Sequence, residues 1–106
     1  DTATTEIYTL SLHDALPIQR RACYFSGRVQ GVGFRCTAHN IAIQHNVTGF
    51  VRNLPDGRVE MIMEGPSREI EEVVSELNHR LEGFIRHVDQ DIQPPTGEFQ
   101  NFFIKH

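Results

Sequence analysis

Tryptophan is absent from the 106 residues, and cysteine and methionine occur twice each. Cys23 and Cys36 are too few and too far apart for a disulfide framework or a cysteine zinc site. Reduced thiols in a cytoplasmic protein are the simplest expectation. Histidines stand at positions 13, 39, 45, 79, 87 and 106, never in an H-x-x-x-H or H-E-x-x-H pair, so no metal ligand set is legible. No apolar run approaches the roughly 18 residues that span a bilayer, which excludes a helical membrane anchor from the reading. Lysine is nearly missing: Lys105 stands against nine arginines. The formal net charge is −4, of which −3 falls on residues 1–19 and −1 on the remainder. That near-neutral remainder lacks the basic face of a nucleic-acid binder. What is present, 39% hydrophobic and 23% charged residues, describes one ordinary globular domain.

The opening "DTATTEIYTLSLHDALPIQ" shows neither strand alternation nor a sustained helical period. It also lacks the basic start and continuous apolar core of a secretory signal. Residues 1–19 are expected to be a non-domain leader, disordered or a gene-model artefact, since "YTLSLHDALPI" resembles translated adapter sequence. The domain is expected over residues 20–106.

Within it, "RACYFSGRV" alternates as a strand, with Cys23 and Phe25 on one face and Ala22, Tyr24 and Ser26 on the other. Phe34, Ala38, Ile41, Ala42 and His45 predict a helix over 34–45, with Asn46 as its stop. Residues 47–53 and 58–64 flank "LPDG" and read as a hairpin. Ile70, Val73, Val74, Leu77 and Leu81 form one stripe of a second helix, with Ser67 as its expected N-cap and Gly83 as its stop. Two strands, around 84–92 and 98–105, flank "QPPTG". The order β-α-β-β-α-β, with a short extra strand, predicts an α+β ferredoxin-like sandwich: an antiparallel sheet with two helices on one face.

"GRVQGVGFR", Gly27 to Arg35, joins the first strand to the first helix. A glycine-rich turn feeding a helix start gathers backbone N–H groups and the positive dipole end around one point. Arg35, in the first helical turn, adds a charge-assisted clamp. The Gly-Lys-Ser/Thr ending of a Walker loop and the spacing of a dinucleotide fingerprint are both missing. On spacing alone, an anion site and a structural glycine turn both fit. Gln30 reads as a loop-bracing hydrogen bonder, Arg28 and Arg52 as solvated, and Cys36 as a packing residue.

Together, "GRVQGVGFR", "GFVRNLPDGRVEMIMEG" and the closing "FQNFFIKH" resemble the acylphosphatase family over Arg20 to His106. Phe25, His45 and Asn46 depart from its pattern, standing where an aliphatic residue, Leu and Gly are more usual. The resemblance implies a monomer that hydrolyses a small acyl phosphate to carboxylate and phosphate, with no metal and no cofactor. It implies that backbone N–H groups of Arg28, Val29, Gln30, Gly31 and Val32, with the Arg35 guanidinium, hold the phosphoryl group. Asn53 would orient the attacking water, which asks that strand 47–53 lie beside strand 22–28. Two other readings stand beside this one. The first is a carbamoyl or acyl phosphate-binding module like the front of a hydrogenase-maturation carbamoyltransferase; the second is an interaction-only descendant. Arg35, Asn53 and the loop glycines together count against the last.

Overall fold

A computed structural model describes residues 18–106. Apart from Ile18 and Gln19, the expected leader lies outside the described residues. Strand β1 spans Ile18–Gly27, β2 Thr48–Asn53, β3 Val59–Pro66, β4 Ile85–Gln93 and β5 Phe102–Ile104; helices α1 and α2 span Phe34–Ala42 and Ser67–Arg80. The sheet runs β4-β1-β3-β2-β5. All neighbours are antiparallel except β2 and β5, which pair in parallel with Phe50 opposite Phe103. The fold is the expected ferredoxin-like α+β sandwich, with its sheet mixed rather than wholly antiparallel.

Both helices pack on one face. Cys23, Phe25, Met61 and Met63 point from β1 and β3 into that layer and meet Phe34, Ala38 and Ile41 of α1 and Ile70, Val73 and Leu77 of α2. Phe25 fills its atypical position by packing on Phe34, with ring centroids 4.9 Å apart. Ala22, Phe50 and Ile62 form a smaller cluster on the opposite face, joined by Tyr24 and Phe99. Among the described residues, no helix is long and apolar enough to cross a membrane.

Several boundaries differ from the sequence reading. β1 starts earlier than Arg21 because β3 offers partners back to Pro66, and it ends at Gly27, where the β4 register shifts. α1 stops at Ala42 rather than at 45. Gln44 and His45 donate back to Ile41 and Ala42 at 3.1 and 3.0 Å, tightening the last turn beyond α-helical geometry. His45 and Asn46 then reach across to α2: His45 Nδ1 and the Asn46 N–H lie 3.1 and 3.0 Å from Glu69 Oε1. The Asn46 amide, against burial and with help from His45, holds the Glu69 carboxyl below its ordinary range. Ser67 is the first helical residue, not the cap. β3 runs directly into α2, and extended Pro66 occupies the N-cap position without a side-chain bond. β2 does not neighbour β1, as the sequence reading required, because β3 lies between them.

The last expected strand shrinks to three residues because its chain must first cross the sheet. β4 and β5 occupy opposite edges, and buried Glu64 fixes the crossing. Its carboxylate accepts from the N–H groups of Thr96 and Gly97, from the Thr96 hydroxyl and from Arg20 Nη1, at 2.8–3.0 Å. Burial alone would raise the Glu64 carboxyl, but these donors outweigh it and hold the pKa at about 2, down from 4.5. A depressed carboxyl stabilises the fold above its unfolded pKa and loses that contribution as pH falls through the folded one. Glu64→Gln should therefore cost about 2–3 kcal/mol at neutral pH. It should also flatten the acid limb of a urea-denaturation series between pH 4.5 and about 2. An unchanged limb would show that Glu64 does not clamp the crossing.

Candidate anion-binding cleft

β1 and β2 both run antiparallel to β3, so both end at the same edge of the sheet. There β1 releases residues 28–33, α1 begins, and β2 terminates at Asn53.

The loop is anchored at both ends. Val29 is fully buried in the helix-side core. Gln30 Nε2 donates to the carbonyls of Leu54 and Arg58 at 2.8 and 2.9 Å, tying the loop to the β2–β3 turn. This is the bracing role read for Gln30. Gly31 and Gly33 have φ of 81° and 78°, a left-handed backbone that side chains disfavour. A Cβ at either position would meet nothing within 4 Å, so conformation rather than crowding calls for glycine. Such left-handed turns bring successive N–H groups to one side of the chain. The N–H groups of Gln30, Gly31, Val32 and Gly33 make no hydrogen bond to another described residue. Gly33 also serves as the N-cap of α1 without a side-chain bond, which leaves the positive end of the helix open toward the loop.

A cleft of about 200 Å³ opens at this point. Gly31 and Gly33 of the loop, Arg35 and Cys36 of α1, and Asn53 of β2 contribute to its wall. Beyond β5, His106 closes one side, above Ile104. Arg35 and Asn53 are both half-buried. The Asn53 amide makes no hydrogen bond to another described residue, which leaves it available to a bound molecule. No acidic residue lines the cleft, so the Arg35 charge and the open N–H groups set its potential.

The structure thus gathers Arg35, Asn53, Val29 and Gly31 at one cleft. Val32 turns toward the helix-side core, leaving only its backbone to the loop. Arg28 does not contribute its N–H, which donates to the Phe84 carbonyl at 2.8 Å. Its side chain is exposed, as read, with the guanidinium 5.7 Å from the Phe84 ring centroid. Arg52 is likewise engaged, on the open face, with Nε 2.6 Å from Glu60 Oε1. Cys36 is exposed on the cleft wall and not packed as expected, because the first turn of α1 turns that side outward. Cys23 is enclosed, and burial pushes its thiol up to about 12. Ile104 and His106 were not legible as site residues; only the alternation of "FFIKH", combined with a parallel register to β2, would have found them.

One further group could hold a metal. His45, Glu69 and Glu72 bring ligand atoms within 4.8 Å of one another, a set drawn from separate elements that linear spacing cannot reveal. None of the three lines the cleft.

Fold and cleft together define a ferredoxin-like domain with a glycine loop of open N–H groups at the end of β1. The acylphosphatase family model matches residues 21–104. An acylphosphatase of Roseiflexus sp. (strain RS-1) is 40% identical over 94 residues, 84% of this chain and 97% of the relative. One from Thermoplasma volcanium is 40% identical over 86 residues, 80% of this chain and 94% of the relative. The crystal structure of acylphosphatase from Bacillus subtilis superposes with a TM-score of 0.75 at 28% identity, covering 85% of this chain and 100% of that one. Full-length HypF in its phosphate- and nucleotide-bound form gives 0.74 at 28% identity, covering 85% of this chain but 12% of that protein. The chain belongs to the acylphosphatase family.

The brace can be tested by itself. Gln30→Ala should cost about 1 kcal/mol in thermal denaturation and weaken inorganic phosphate binding about 5-fold. Unchanged phosphate affinity would show that the loop keeps its geometry without Gln30.

Proposed function

We propose that this chain hydrolyses acyl phosphates to a carboxylate and inorganic phosphate, with the chemistry in the cleft between the loop, Arg35 and Asn53. The single observation that carries the residue roles is the convergence of these three on one cleft that no acidic side chain lines. In this reading the N–H groups of Gln30, Gly31 and Val32 and the start of α1 surround the phosphoryl oxygens. The Arg35 guanidinium takes up the charge spread over them in the transition state. Phosphoryl transfer asks chiefly for positioning and charge stabilisation, which fixed N–H dipoles supply without reorganising.

Asn53 accepts a hydrogen bond from a water through its amide oxygen and aims that water at phosphorus. The water oxygen forms the new P–O bond while the bond to the acyl oxygen breaks, and the carboxylate leaves with the electron pair. A carboxylate is a good leaving group, so an amide that only orients the water suffices. The water's proton passes to a phosphate oxygen. The positive charge this scheme needs comes from the protein's own groups, so the reaction proceeds without a metal or cofactor. The same reading takes the working form to be a monomer. Unpaired Cys23 and Cys36 suit a reducing, cytoplasmic setting. Relatives at 40% identity are acylphosphatases, whereas HypF is 28% identical, so hydrolysis is favoured over the binding module.

The full chain should hydrolyse benzoyl phosphate with a chelator present, and inorganic phosphate should compete. Arg35→Gln should raise KM and lower kcat together, whereas Asn53→Ala should lower kcat by about 10²-fold with KM little changed. An unchanged rate in Asn53→Ala would remove the water-orienting role. A folded native chain that binds carbamoyl phosphate without turnover would favour the binding module.

A further inference from the structure

The wall of the cleft beside Arg35 and Asn53 includes His106, and the backbone explains how it arrives there. β5 pairs in parallel with β2, Val51 opposite Ile104, and the Lys105 N–H extends the ladder by donating to the Val51 carbonyl at 2.9 Å. Two residues further, the same register brings position 106 level with Asn53. Side chains alternate along this segment. Phe102 and Ile104 face the helix-side core, while Phe103 and Lys105 lie against Phe50 on the open face. His106 therefore turns toward α1, where its Nδ1 lies 3.4 Å from Arg35 Nη1.

A guanidinium only donates, so Nδ1 is the acceptor and the neutral ring carries its proton on Nε2. Among the described residues, no carboxylate forms an ion pair with Arg35. This is chemically apt. A carboxylate partner would orient the guanidinium but cancel its charge and repel a phosphate. A neutral imidazole orients it and leaves the charge for the ligand.

We infer that His106 is a positioning residue that holds the Arg35 guanidinium over the loop N–H groups for phosphoryl binding. The inference rests on the reading of the cleft as the acyl phosphate site. Its test uses the full chain with two substitutions: His106→Asn, which keeps an acceptor near Nδ1, and His106→Phe, which keeps a ring without one. Inorganic phosphate affinity is read by calorimetry, and kcat and KM with benzoyl phosphate. His106→Phe should act as a mild form of Arg35→Gln, weakening phosphate binding, raising KM and lowering kcat by about 5-fold each; His106→Asn should stay within about twofold on all three. Imidazole nitrogen NMR of the native chain should show the Nε2–H tautomer. Equal affinity in native and Phe chains, equal weakening in both variants, or an Nδ1–H tautomer would overturn the inference. If the native chain binds phosphate but does not turn over benzoyl phosphate, hydrolysis fails while calorimetry still decides the role of His106. A native chain that binds no phosphate overturns both.

Discussion

Strand β3 is hydrogen-bonded along both edges, to β1 on one side and β2 on the other, each antiparallel to it. Its eight residues are all buried, with Met61 and Met63 in the helix-side core and Ile62 in the opposite cluster. This pairing forces β1 and β2 to point the same way, so the glycine loop and Asn53 emerge at one edge although their strands never touch. A one-residue slip of β2 on β3 would turn Asn53 to the other face and put Phe50 into the helix-side core. The cleft therefore depends on register more than on any contact within it.

The opposite face contributes to the same end. Glu64, on β3, anchors the chain that crosses from the β4 edge to the β5 edge, and Arg20 links that carboxylate to Glu98 farther along the crossing. Phe99 then packs against Phe50 and Phe103, which seats β5 beside β2. Only with β5 so seated do Ile104 and His106 reach the cleft. A buried carboxylate on one face of the sheet is thus coupled, through one loop and one short strand, to the wall of the site on the other.

Much of this was legible from residue patterns. The stripe Ile70, Val73, Val74, Leu77 and Leu81 gave α2 its buried face, and "GRVQGVGFR" marked the loop and its helix start, because these signals are local. The end of α1 was less legible. His45 fits the helical period, yet it turns away to meet Glu69, a partner that lies 24 residues on. The order of the strands was not legible from local pattern, since β1 and β2 carry no mark of which edge each offers to β3. Arg28 illustrates the same limit within the loop: its N–H looked available until the Phe84 carbonyl, supplied by the approach to β4, came beside it. His106 needed the parallel register of β5, which three paired residues define only in the folded chain.

The most direct test of the proposed phosphate site is a titration of the isotopically labelled chain with inorganic phosphate, followed by amide and guanidinium NMR. The account predicts saturable shifts of the Gln30, Gly31, Val32 and Gly33 amides together with the Arg35 Nε–H, and little change along β4. Shifts elsewhere, or none at millimolar phosphate, would contradict the claim that this loop and arginine form the phosphoryl site.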